Sequence, residues 1–335
     1  STQGYSSAAS DVYKRQEHRA ENCMTVSKGG RTNEFYFFGG KDESSQDLIQ
    51  GITLAGAFFD EVALMPQSFV NQATARCSVT GSKFWFNCNP GSPQHWFYLK
   101  WVRKCRSRKM MYLHFTMDDN LSLSEDIKAR YRSQYSGVFY QRYILGLWTV
   151  AEGLVYDMFD RKKHVVDVLP ALSLKSDYVA CDFGTQNATT FLLFQKQADA
   201  DCWIVTREYY YSGREQKRQK TVGEYVTDLK AWLNGLKPER IIVDPSALPL
   251  ITELRKNGFT QTPANNDVLS GILDVQTMLQ TGRLKIYKDC KHTLEEFGVY
   301  AWDPDKDDTV LKVNDHCMDA IRYFVRTKRL VKLRD

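Results

Sequence analysis

No stretch of this chain comes near the roughly 18–20 consecutive apolar residues that a membrane helix needs. The N-terminus lacks the apolar core of a signal peptide. A membrane-bound or secreted protein is therefore not expected. The eight cysteines, at 23, 77, 88, 105, 181, 202, 290 and 317, contain no C-x-x-C pair. That scatter argues against a zinc ribbon or a disulfide scaffold and leaves reduced thiols of a cytosolic protein. Excess charge is also scarce. Lys and Arg total 45 against 40 Asp and Glu, a net +5. So small an excess does not itself indicate nucleic acid; clustering would. A further absence is chemical. There is no G-x-x-x-x-G-K-[ST] loop, and the nearest stretch, Lys28-Gly29-Gly30-Arg31-Thr32, has the wrong spacing and precedes a strand. Without that loop no backbone cradle exists for the β- and γ-phosphates, so this chain alone is not expected to hydrolyse ATP.

What is present suits two globular α/β domains. The 335 residues, 43% hydrophobic and 13% aromatic, carry enough apolar mass for two cores at about 150 residues each. Residues 1–16 are small, polar and aperiodic, and read as a non-native or disordered segment attached to a truncated frame. Residues 17–150 form the first domain, 151–172 a linker and 173–335 the second domain.

In the first domain, Asn33–Phe38 and Lys83–Phe86 read as strands. Gly51–Glu61 (GITLAGAFFDE) ends a buried-strand run in Asp60 and Glu61. This is a Walker B pattern, in which the first acid holds Mg²⁺ and the second orients an attacking water. The plain alternative is a strand ending in a solvated turn. Asn87-Cys88-Asn89-Pro90 at the next strand tip either senses a γ-phosphate or simply turns the chain. Lys100–Lys109 (KWVRKCRSRK) has six basic residues and no acid. Lys100, Arg103 and Lys104 are DNA-contact candidates, with Trp101 and Val102 on a packed side.

In the second domain, 177–183, 189–195 and 202–210 read as an antiparallel meander. Then come a helix at 222–233, a strand at 240–243, a helix capped by Ser246, and helices at 268–279 and 314–327. That order is RNase H-like. Asp182 stands near the end of the first strand, Asp244 at the tip of a later one and Asp319 on the last helix. Three carboxylates on rigid elements suit two Mg²⁺ or Mn²⁺ ions hydrolysing a phosphodiester. On the last helix Asp315, Asp319, Arg322 and Arg326 share one face, which turns Asp319 to the metals and the arginines to phosphates. His316 lies near enough to Asp319 to approach the metals or the scissile phosphate; a packed or surface histidine is the plain reading. Tyr209–Tyr211 with Arg214–Lys220 either touches DNA or forms a solvated hairpin.

The motifs GITLAGAFFDE (51–61), NCNPGSPQHW (87–96), DDNLSL (118–123), GVFYQRYILGLW (137–148), EGLVY (152–156), DFGTQNATT (182–190), IIVDPSA (241–247), GILDVQTMLQTGRLKIY (271–287) and NDHCMDAIRYF (314–324) occur in an order that resembles the PBSX-type phage terminase large subunit. The resemblance implies a partial P-loop (ASCE-type) ATPase domain lacking Walker A, followed by an RNase H-like nuclease. It implies a two-metal endonuclease that cuts concatemeric viral DNA, coupled in the full-length protein to ATP-driven packaging into the procapsid. Double-stranded viral DNA, the portal protein and the small terminase subunit are the implied partners. An oligomer on the procapsid, in the host bacterial cytoplasm, is the implied setting. By the same resemblance Asp60 is the Walker B aspartate, Glu61 the catalytic glutamate and Asn87–Pro90, including Asn89, the coupling motif. Asp182, Asp244 and Asp319 are the nuclease carboxylates, with His316 beside them. A transposase or resolvase using the same carboxylates, and a non-catalytic DNA-binding fragment, are the competing readings.

Overall fold

A computed structural model of the chain describes residues 14–18, 22–184 and 187–331. By contacts the chain divides into two units. One runs to Asn89 and takes in His95–Met110; the other comprises Pro90–Gln94 and everything from Met111 onward.

The first unit opens with an antiparallel three-stranded meander of β1 (Lys14–His18), β2 (Cys23–Lys28) and β3 (Arg31–Tyr36). Of the segment expected to be foreign to the fold, residues 1–13 lie outside the described residues, whereas Lys14–Gln16 pair with Thr25–Ser27 in β1. β4 (Gly56–Phe59) and β5 (Lys83–Phe86) form a parallel pair, with α1 (Gln67–Arg76) between them and α2 (Trp96–Lys100) after them. Only part of β4 is buried as expected. Phe59 is enclosed and stacks on Phe86, while Phe58 is 64% exposed. Phe86 in turn packs on Phe97 and on buried Trp101.

The second unit begins with α3 (Glu125–Gln134), α4 (Gly137–Phe139), which runs into a π-turn over Tyr140–Ile144, and α5 (Arg161–His164). Residues 151–172, expected as a linker, are built into this unit instead. Val155 and Tyr156 are 1% exposed, and Val155 N–H donates to Tyr300. Upstream, buried Arg142 binds Asp308 with both terminal nitrogens.

Seven strands make the central sheet. They are β6 (Val165–Val166), β7 (Leu172–Asp182), β8 (Ala188–Gln197), β9 (Trp203–Ser212), β10 (Arg240–Val243), β11 (Gln261–Pro263) and β12 (Leu284–Tyr287). Their order is β11-β10-β7-β8-β9-β12-β6, and only β8 runs against the rest. Side chains alternate between faces along a strand. Val179, Cys181, Phe191, Leu193, Ile241 and Val243 pack with α6 (Val222–Leu233) and α7 (Leu248–Lys256). Ala180, Leu192, Phe194, Val205 and Ile242 pack on the other face with α8 (Val268–Gln280), α9 (Lys291–Phe297) and α10 (His316–Thr327). Phe194 and Phe324 stack at 3.9 Å across that contact. Ser246 does not cap α7 as expected. Its backbone N–H donates to Asp244, and the helix starts after Ala247 with no side-chain cap.

Candidate nuclease site and strand-tip cluster

Two rules of strand geometry bring Asp182 and Asp244 together. β7 and β10 are parallel neighbours with Cys181 opposite Val243, so each aspartate stands one residue beyond the same rung. Alternation then sets the face. Asp182 is two residues past Ala180 and Asp244 two past Ile242, and both precursors face α10. Asp319 comes from the first turn of α10 itself. Tyr323 Oη lies 3.3 Å from Asp244 Oδ2, and burial, with the charges of Asp319, Asp182 and Asp244, pushes its hydroxyl well above its ordinary range.

Each carboxylate has its own partners. Asp182 Oδ2 is 2.8 Å from His316 Nδ1. Burial raises the Asp182 carboxyl, the His316 hydrogen bond opposes this, and the charges of Asp319 and Asp315 add to the rise; the net shift is upward. Burial alone would lower the His316 imidazole, but the bond and charge of Asp182 outweigh it and raise it. Asp244 accepts from Ser246 N at 2.8 Å, Asn266 Nδ2 at 3.2 Å and Tyr323 Oη at 3.3 Å. Burial works upward on Asp244, yet these bonds hold it below the ordinary carboxylate value. Asp319 is claimed on both oxygens, by Arg322 at 2.8 Å and Lys312 at 3.0 Å.

Hard carboxylate oxygens are the right donors for Mg²⁺ or Mn²⁺. As the side chains stand, however, no group of three or more His, Cys, Asp or Glu among the described residues is placed to hold a metal ion. The expected three-aspartate cage is thus present as a neighbourhood rather than as a converged set. Each aspartate is instead engaged by protein groups, Asp319 by Arg322 and Lys312.

Arg322 does not face outward as expected, whereas the Arg326 side chain remains 32% exposed. The Arg322 side chain is 2% exposed and binds Asp319 and the Asn266 carbonyl; Arg326 pairs with Asp274. The three tyrosines lie in β9 itself, while Arg214, Lys217 and Arg218 after it are exposed. Lys220 binds Asp228 and lies 4.0 Å from the Tyr211 ring, while Tyr209 donates to Asp228. Lys312 and Glu296 carried no sequence signal, because what matters is which helix start they meet; Asp315 was read only as sharing the Asp319 face.

Glu296 is 3% exposed, and its carboxyl is pushed up to about 7, chiefly by burial, against the pull of the Cys317 and Met318 N–H groups and His316. Burial, and then the charge of Glu296, raise the Tyr210 hydroxyl of β9. A raised carboxyl holds its proton in the folded chain after the unfolded chain has lost it, so this residue's contribution to stability falls as pH rises from about 4.5 to about 7. Glu296→Gln is expected to remove that component, up to about 1.4 kcal/mol per pH unit. Urea melts of both proteins at pH 5 and 7.5 test this. Equal pH slopes would refute it.

The first unit has a separate cluster at the tips of β4 and β5. Asn87 Nδ2 donates to Asp60 at 2.9 Å, and Asn87 Oδ1 accepts from Glu61 N–H at 2.7 Å. Asn89 reaches Glu61 at 3.4 Å. Glu61 sits at φ 52°, a left-handed conformation uncommon for a non-glycine and often found at functional sites. Asp60, Glu61, Asn87 and Asn89 are thereby brought together. Lys100, Arg103 and Lys104 are exposed, and Arg108 lies over the buried Trp101 ring at 4.3 Å.

Residues 2–163 match the family described as terminase large subunit, T4likevirus-type, N-terminal, and residues 188–328 match the terminase RNaseH-like domain. The first match starts inside the segment expected to be non-native. The solved large terminase of a thermophilic bacteriophage is 52% identical, with a TM-score of 0.87 over 95% of this chain and 79% of that one. The same protein in complex with ADP gives 51% identity and a TM-score of 0.84, over 95% of this chain and 80% of that one. The large subunit of Escherichia phage T5 is 25% identical over 64% of this chain and 50% of its own length. That of Salmonella phage P22 is 22% identical over 85% and 57%. This chain thus spans about half the length of the curated relatives it matches.

Proposed function

Because this chain belongs to the large-subunit family of phage terminases, joining an ATPase-type domain to an RNase H-like one, we propose that its second unit is a divalent-cation-dependent endonuclease acting on double-stranded viral DNA. In the complete protein this cutting accompanies ATP-driven packaging into a procapsid, with the portal and small subunit as partners, in the host bacterial cytoplasm. One observation carries the reading. Asp182 and Asp244, distant in sequence, stand one residue beyond the same rung of adjacent parallel strands, and Asp319 stands in the first turn of α10, which packs on that face of the sheet.

Bound Mg²⁺ or Mn²⁺ would supply Lewis acidity and lower the pKa of water at this site. Asp182, Asp244 and Asp319 would hold the ions, provided Lys312 yields Asp319. Asp182 also fixes the His316 ring through Nδ1, leaving Nε2 as its remaining proton-transfer atom. In the first unit Asp60 and Glu61, clamped by Asn87, would serve the metal and water of a nucleotide site. This sequence has no phosphate-cradling loop, so nucleotide turnover is not expected of it alone. Incubating the purified chain with supercoiled plasmid and Mn²⁺ tests the nuclease: nicked and linear products are expected, and intact plasmid at all Mn²⁺ concentrations would overturn it.

Exposed Lys100, Arg103 and Lys104 are proposed to meet phosphates. Replacing all three by Ala should lower the salt dependence of duplex binding by about 2–3 in log–log slope and weaken binding without altering sequence preference. Fluorescence anisotropy between about 50 and 200 mM salt is the check. An unchanged slope removes them from the interface.

A further inference from the structure

The first turn of α10 carries His316 and Asp319, so the exact start of this helix positions both. A helix start leaves N–H groups without intrahelical partners, and the N-cap side chain usually serves them. Here the N-cap is Asp315, among the best capping residues, yet its side chain makes no capping bond. Its Oδ2 lies 3.0 Å from Lys312 instead. The cap comes from another helix. Glu296, in the last turn of α9, accepts from Cys317 N–H at 2.7 Å and Met318 N–H at 3.1 Å through Oε2. Its other oxygen is buried with no hydrogen-bond partner among the described residues. Burying a carboxylate this way is costly, and an apolar side chain would fill the space at less cost.

α9 is itself held by the sheet. Glu208 of β9 accepts from His292 N–H and Thr293 N–H, each at 2.9 Å, and from the Thr293 hydroxyl at 2.8 Å. The connection therefore runs from β9 to α9 by Glu208, from α9 to α10 by Glu296, and from α10 back to β7 by the His316–Asp182 pair.

We propose that Glu296 is a positioning residue for the nuclease site, capping α10 from outside so that Asp315 is released from capping and His316 and Asp319 are held in register with β7. The role assigned to His316 and Asp319 rests on the nuclease reading above; the capping does not.

The test compares the full chain with Glu296→Asp and Glu296→Gln. Aspartate keeps the charge but falls one methylene short, whereas glutamine keeps the reach and an accepting oxygen. Glu296→Asp should speed deuterium exchange at the Cys317 and Met318 amides by roughly 100-fold, from the loss of two charge-assisted bonds. It should lower plasmid-cleavage kcat by roughly 100-fold through misplacement, with KM for DNA unchanged. Glu296→Gln should stay within about threefold of the parent on both measures, well short of a tenfold effect. Parent-like amide protection in Glu296→Asp, a loss confined to KM, or equal damage in Glu296→Gln would each overturn the proposal. If the parent chain itself does not cut, the nuclease reading fails, and the exchange measurement still decides the capping.

Discussion

Asp182→Asn is expected to lower Mn²⁺-dependent plasmid cleavage by about a thousandfold or more, equivalent to about 4 kcal/mol in the barrier. The substitution is nearly isosteric and leaves an oxygen to accept from His316, so the loss isolates the charge. Asp182 ends β7, beside Asp244 and against α10, where a negative charge is unfavourable in the folded chain: its carboxyl is raised by burial and by Asp319 and Asp315. A stability-optimised site would not keep it. The same substitution should therefore leave the melting temperature unchanged or raise it, a trade of stability for activity. Time courses of nicking across a Mn²⁺ titration, read beside thermal melts, give the answer. Cleavage at the parental rate would remove Asp182 from the metal site, and a strongly destabilised variant would mean that the carboxylate is structural.

Gly271→Ala carries the second large expectation. Gly271 lies on α8 against α10, and a Cβ there would stand 2.3 Å from Arg322 Cγ and 2.7 Å from Cδ. Those atoms are the middle of a side chain fixed beyond them by Asp319 and the Asn266 carbonyl, so the collision cannot be relieved by swinging a free end. Overpacking of this kind costs about 1–3 kcal/mol, against a gain of about 1 kcal/mol from replacing glycine in a helix. The clash should prevail, and melting should fall by several degrees, at about 2–4 °C per kcal/mol. Moving Arg322 also disturbs Asp319, so cleavage should fall with it. A melting temperature at or above the parent's would show that α8 and α10 can separate without loss.

Much of the second unit was legible because its strands and helices are strongly patterned. The strand at 240–243 and the helix at 222–233 have the predicted ends. β12, β6 and β11 were not anticipated; β6 and β11, two and three residues long, are too short to show a period. Arg322 was misread for a different reason. Helical spacing correctly puts it on the Asp319 face, but spacing does not report that Gly271 of α8 leaves a hole there which encloses it. The 151–172 stretch, read as a linker, misled in the same way, since Val155 and Tyr156 pack against Tyr300.

The amino-acid order alone determined the family likeness, the two-part α/β plan and the identity of the acids at the strand tips. These depend on local pattern, since an apolar run ending in a carboxylate delivers that acid to the end of a strand wherever the strand goes. Tertiary structure decided which charges meet. The pairing of β7 with β10, the enclosure of Arg322, the claim of Lys312 on Asp319 and the cap that Glu296 gives α10 all join residues brought together by packing, often across large sequence separations. Such contacts are set by the three-dimensional arrangement of the sheet and helices, which spacing along the chain does not encode.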